Sequence, residues 1–327
     1  MIKRIIFIGL LLVLSLSACE NPEWGTVPAI QISPSQTPSL ALMSAATQTP
    51  SPPVVVFTPD PTQAVINPPQ PPTPALAPEA WKSMPVIPVV SQQMIKIYQQ
   101  GLATGRDPAH FSKIGDCQNI TTYYLADFDN PANYHLGPQY AALQPTIDHF
   151  AGSWSRESLA VKGGMGVAAV LDPYSIFKDQ KNCGSNESPL ACEIRVNNPS
   201  IAIISMETWW ANKPASGYEK YLRQVVEYTL SQGVVPILAT KADNLEGDYS
   251  INAAIARVAY DYQVPLWNFW AATYPLPSHG LTEDLFHLTQ ARSFFDDPVR
   301  MKAAWPWRNL TALQALDAVY HAVSAQP

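Results

Sequence analysis

Proline is spread along this 327-residue chain in a way that limits its folding more than any other feature: 17 of the 32 prolines lie between Glu20 and Pro88, under a quarter of the length. Segments such as Thr49-Pro50-Ser51-Pro52-Pro53 and Asn67-Pro68-Pro69-Gln70-Pro71-Pro72-Thr73-Pro74 favour polyproline II, which has no internal hydrogen bonds and cannot organise a core. Residues 19–87 are therefore expected to form a disordered tether, with Val54–Phe57 its one notable apolar run. Fully extended at about 3.1 Å per residue, it reaches on the order of 200 Å. The remainder, 88–327, is enough chain for one α/β core.

Ahead of the tether, Lys3 and Arg4 precede the apolar run Ile5–Leu16, which leads into Ser17-Ala18-Cys19. A basic start, about a dozen apolar residues and small residues before a cleavage point read as a secretory signal over 1–18. The run falls short of the roughly 20 residues needed to span a bilayer. Its Leu-Ser-Ala-Cys ending resembles a bacterial lipoprotein signal, which implies lipidation of Cys19, an anchor in the cell membrane and an extracytoplasmic location. Within 88–327 the charges are 17 Lys+Arg against 22 Asp+Glu, without blocks of either sign. A basic nucleic-acid surface is not expected from that balance.

The folded region alternates elements. Val89–Gln100 reads as an opening helix ended by Gly101, and Phe111–Gly115 as the first strand. Ile201–Ser205 and Val234–Thr240 are apolar runs with the length of buried parallel strands. Between them Ser216-Gly217-Tyr218-Glu219 has the form of a capping box, Tyr218, Leu222, Val225, Val226 and Thr229 share one helical face, and Gly233 supplies a left-handed stop. A second helix over Ser250–Tyr262, a strand over Val264–Trp270 and a last helix over about Asn309–Val323 follow. This order predicts a three-layer α/β/α sandwich on a mainly parallel sheet, a flavodoxin-like arrangement whose ligands bind at the carboxyl ends of the strands.

Three segments carry chemistry. Phe111-Ser112-Lys113-Ile114-Gly115-Asp116-Cys117 is a strand running into Gly-Asp and then a nucleophilic side chain, and Asp284-Leu285-Phe286-His287 sets a carboxylate three residues before an imidazole ahead of the final helix. Both blocks resemble those of the SGNH/GDSL hydrolases, with Cys117 where that family has its nucleophilic serine. The resemblance implies a Cys117–His287–Asp284 site that hydrolyses acyl esters, carbohydrate-linked or small, with no cofactor and no metal. A thiolate serves as nucleophile once a neighbouring base takes its proton. A second pair at the same spacing, Asp107 and His110, precedes the strand; at about 3.3 Å per residue it would sit roughly 20 Å from Cys117, and it is read as a capped turn.

The third block departs from the family. Where Gly-x-Asn-Asp is usual, this chain has Glu207-Thr208-Trp209-Trp210-Ala211-Asn212, so the Trp209 indole or the Asn212 amide would have to serve as oxyanion donor. The other donors implied are the Cys117 N–H and that of Gly164 or Gly166. Asp116, Trp210, Lys241, Asp243 and Asn244 are expected on the substrate rim, where Trp209, Trp210, Trp267 and Trp270 would stack on sugars if exposed or join the core if buried. Cys183 and Cys192 bracket Gly184–Ala191, a loop that a disulfide would close outside the cytoplasm, leaving Cys117 as the odd thiol. The expectation is a monomeric surface-anchored esterase. The alternative is a catalytically degenerate module of the same fold that binds cell-wall or extracellular glycan.

Overall fold

The computed structural model describes residues 75–206 and 213–325. The segment read as a signal, Cys19 and nearly all of the segment read as a tether lie outside the described residues, as do Trp209, Trp210 and Asn212. In chain order the regular elements are α1 (Gln92–Ala103), β1 (Asp107–Gly115), β2 (Tyr134–His135), α2 (Gly137–Tyr140), α3 (Gln144–His149), α4 (Pro189–Asn197), β3 (Pro199–Ser205), α5 (Ala215–Ser231), β4 (Val235–Ala239), α6 (Ser250–Tyr262), β5 (Leu266–Trp267), α7 (Phe269–Thr273), β6 (Ser293–Phe294) and α8 (Ala304–Ser324).

All seven positions of β3 and all five of β4 are buried, as strands covered by helices on both faces must be. The main sheet runs β1-β3-β4-β5, and every pairing in it is parallel. A single parallel bridge from Gly115 to Val161 adds a strand remnant outside β1. With that remnant included, the winding reverses between β1 and β3, and a doubly wound sheet opens its crevice beyond the carboxyl ends at such a point. Helices α1 and α8 pack on each other and against the sheet, and α5 and α6 form a second pair on β4. The molecule is thus a mixed α/β fold with a mainly parallel sheet between helical layers. Two-residue strands β2 and β6 pair separately, also in parallel. No helix among the described residues is long and apolar enough to cross a membrane.

Several local expectations are corrected. Gly101 lies inside α1 rather than ending it; a Cβ there would stand 2.0 Å from the Gly233 carbonyl oxygen, so this glycine is set by close backbone approach. Strand β1 starts at Asp107, with a register shift before Phe111. His110 is therefore part of the strand, although Asp107 Oδ1 still accepts the Ala109 N–H at 2.9 Å in a turn-like bond. The capping box at Ser216 does not form: α5 begins after Pro214 without a side-chain cap, and the Glu219 carboxylate is taken by Arg223 and Arg257. The buried face of α5 is nevertheless Tyr218, Leu222, Val225, Val226 and Thr229. Val264–Trp270 yields only the short β5, because Asn268 caps α7 by accepting from the Ala271 N–H at 3.4 Å. Packing also begins upstream of Pro88: Trp81 is buried, and its carbonyl accepts from Asn268 Nδ2 at 2.8 Å.

Candidate active site

Strand β1 delivers Cys117 to the carboxyl end of the sheet. Gly115 permits this, since a Cβ there would lie 2.1 Å from Asn119 Nδ2 and 2.4 Å from the Ser205 carbonyl oxygen. The chain then turns through Asp116, whose buried carboxylate accepts from the Gln118 N–H at 3.3 Å and caps a short 3-10 turn over Cys117–Asn119. Cys117 is partly exposed and is not in a disulfide. Cys183 and Cys192 are bonded to each other, as their spacing suggested.

The imidazole comes from the segment that leads into α8. Leu281 and Leu288 form an antiparallel bridge, and the Thr282 N–H donates to the His287 carbonyl at 2.8 Å. Asp284 fills the resulting turn. Its Oδ1 accepts from Thr282 Oγ1 at 2.7 Å, the Phe286 N–H at 3.0 Å and the His287 N–H at 2.9 Å. Its Oδ2 meets His287 Nδ1 at 2.5 Å. The hydrogen bond from His287, reinforced by the others, holds the Asp284 carboxyl far below the usual carboxylate range. With Nδ1–H committed to Asp284, Nε2 is the ring nitrogen able to accept a proton. Both side chains are about half exposed. Leu285 between them has φ 59° and projects into solvent, a left-handed backbone that costs a non-glycine residue roughly 1 kcal/mol or more and is typical of sites under geometric constraint.

The two segments touch. Gln118 Nε2 donates to the Phe286 carbonyl at 3.2 Å across 168 positions of sequence. The residue after Cys117 is thereby tied to the residue before His287. A buried arginine, Arg308 of α8, braces the same turn: Nε donates to the Gln118 carbonyl at 3.2 Å and Nη2 to Ser205 Oγ at 2.9 Å. Its guanidinium lies 4.8 Å from the Tyr124 ring centroid and 5.0 Å from that of Phe269, surroundings that suit a delocalised, weakly hydrated cation. Asn119 completes the brace by donating Nδ2 to the Ser205 carbonyl at 2.7 Å. Sequence reading overlooked Gln118, Asn119 and Arg308. Arg308 did leave a signal, as the one charged residue among those that the last helix buries.

The remaining expected residues divide. Val161 pairs with Gly115, the last residue of β1, so residues 162–166 follow directly from the outer edge of that strand. Gly164 is exposed with φ 78°, whereas Gly166 is buried. Asp116, Lys241 and Asp243 are not rim side chains, because each is at most 1% exposed. Lys241 Nζ instead bonds Asp243 Oδ1 at 2.5 Å and Glu246 Oε2 at 2.6 Å. Burial works against the ammonium, but the two carboxylates outweigh it and raise the Lys241 pKa. Burial also raises the Asp243 pKa against the pull of Lys241, with Asp116 adding to the rise. Asn244 is partly exposed, and its Oδ1 accepts from the Tyr249 N–H at 2.8 Å. Trp267 and Trp270 are core residues; the Trp267 indole donates to Thr311 Oγ1 at 3.0 Å. No cluster of three or more His, Cys, Asp or Glu that could hold a metal ion occurs among the described residues. No protein-family model matches the chain, and a search of curated proteins finds no match.

Proposed function

We propose that this protein is an SGNH/GDSL-like hydrolase of acyl esters, acting through Cys117, His287 and Asp284. The observation that carries the reading is the Gln118–Phe286 hydrogen bond, which ties the turn bearing the thiol to the loop bearing an oriented Asp284–His287 pair. In the reaction His287 Nε2 takes the thiol proton as sulfur attacks the acyl carbon. The C–S bond forms, and the imidazolium returns its proton to the departing alkoxide. Water, deprotonated by the same nitrogen, then cleaves the thioester and restores the thiol. Asp284 keeps the ring in the required tautomer. Backbone N–H groups of Cys117 and of Gly164 or Gly166, with Trp209 or Asn212, are the proposed oxyanion donors. The chain would act on carbohydrate-linked or small acyl esters as an extracytoplasmic lipoprotein anchored through Cys19.

Glu207 and Trp209 at the family's Gly and Asn positions favour a second reading, a glycan-binding module without turnover. The deciding experiment measures p-nitrophenyl acetate turnover for wild type, Cys117→Ala, His287→Ala and Asp284→Asn. On the hydrolase reading each variant loses about 10²–10⁴-fold. Rates equal to wild type in both Cys117→Ala and His287→Ala would end it.

A further inference from the structure

Next to the candidate active site in sequence, a cleft opens between the segment after the Cys117 turn and the segment after His287. We propose that it is a subsite for a neutral pyranose ring. Its volume is about 360 Å³, at the small end of the ~300–1,000 Å³ usual for small-molecule sites. Its position is pinned from both sides. The Trp305 N–H donates to the Thr289 carbonyl at 3.1 Å, two residues beyond His287, and the Tyr123 N–H donates to the Ile120 carbonyl at 2.9 Å, three beyond Cys117.

The lining combines an aromatic platform with hydroxyl-reading groups. Tyr123 is 51% exposed, and its ring is canted at 36° to that of Trp305 with centroids 5.9 Å apart. Trp305 is only 8% exposed and backs the platform, so the Tyr123 face is the one to bury the C–H side of a sugar while its hydroxyls stay at the edge. Asp127 spends Oδ2 on Ser293 Oγ at 2.6 Å, and its Oδ1 makes no hydrogen bond among the described residues. Opposite polarity comes from Arg292 and Gln290, which also line the cleft. Arg292 makes no ion pair among the described residues; its guanidinium stacks 4.6 Å from the Phe294 ring centroid. Asn309 holds the floor, with Oδ1 accepting from the Leu125 N–H at 3.0 Å and Nδ2 donating to Ser293 Oγ at 3.1 Å.

Charge then selects the ligand class. Asp127 disfavours a carboxylate or phosphate, and Arg292 disfavours an ammonium. A ring of hydroxyls, each both donor and acceptor, uses the two together. As a subsite for the alcohol part of an acylated sugar, the cleft rests on the hydrolase reading; as a sugar site it does not.

The test is calorimetric titration of the full chain with methyl β-glucopyranoside, N-acetylglucosamine and methyl β-xylopyranoside, beside p-nitrophenyl acetate turnover. Saturable millimolar binding of at least one pyranoside is expected, weakened about tenfold in Tyr123→Ala, as for loss of an aromatic anchor, and weakened likewise in Arg292→Ala. Both side chains are on the surface, so a thermal melt matching wild type verifies the fold. Binding to none of the three sugars, or equal binding by wild type and both variants, overturns the subsite. Absence of esterase turnover by the wild-type protein, with sugar binding intact, would instead sink the hydrolase reading alone.

Discussion

Lys113 is a lysine in the wrong solvent, and the stability of the fold should report it. On β1 its ammonium is fully buried, donating to the Trp154 carbonyl at 2.7 Å and to Thr121 Oγ1 at 3.2 Å. Neither partner is a carboxylate. Glu193, the nearest acid on α4, is occupied by Arg156, Ser112 Oγ and the Leu159 N–H. Burial, aided by the Arg156 charge and only partly offset by Glu193, Asp129 and Glu157, pulls the Lys113 pKa down to about 7. Unfolded, it returns to about 10.4. Between those values the unfolded chain binds more protons, so unfolding free energy rises with pH; the penalty is complete below about pH 7 and vanishes above about 10.4. At 1.36 kcal/mol per pH unit, the gain from pH 6 to pH 9 is about 2.6 kcal/mol. Lys113→Met removes the titration while leaving the Trp154 carbonyl unpaired at a cost of about 1–3 kcal/mol. Urea unfolding of both proteins at pH 6, 7.5 and 9 checks this. Groups common to the two cancel, so the wild type should gain about 2.6 kcal/mol on the variant across that range. Parallel pH profiles would refute the reasoning.

Three further outcomes follow from packing. Gly115→Ala forces a Cβ against Asn119 and the Ser205 carbonyl; by overpacking it should cost about 1–3 kcal/mol in urea unfolding and slow any turnover that depends on the Cys117 turn. Lys241→Met strands two carboxylates in the buried cluster and should destabilise by about 3–5 kcal/mol; a drop under about 1 kcal/mol would mean that the cluster is hydrated. Reducing Cys183–Cys192, which closes a loop of sequence separation 9, should cost about 2.5 kcal/mol on chain entropy, read as a lower melting temperature in dithiothreitol.

The sequence by itself determined the parts of this fold that follow from short-range periodicity. Helix α6 occupies Ser250–Tyr262 and α5 buries the five predicted residues, because an amphipathic face is written at spacings of three and four. Strands β3 and β4 were legible as unbroken apolar runs, since burial on both faces erases alternation. The Asp284–His287 contact was likewise local, one turn of chain. What tertiary structure alone decided is where charge goes when it leaves water. Lys241-Ala242-Asp243-Asn244 reads as a polar rim loop, yet its ions neutralise one another in the interior. Gly101 reads as a helix stop, yet it is a contact surface for Gly233. Most tellingly, the hydrogen bond between Gln118 and Phe286 spans 168 positions. No local pattern encodes such a pairing; it exists because the packed fold brings the turn after β1 against the loop that follows α7.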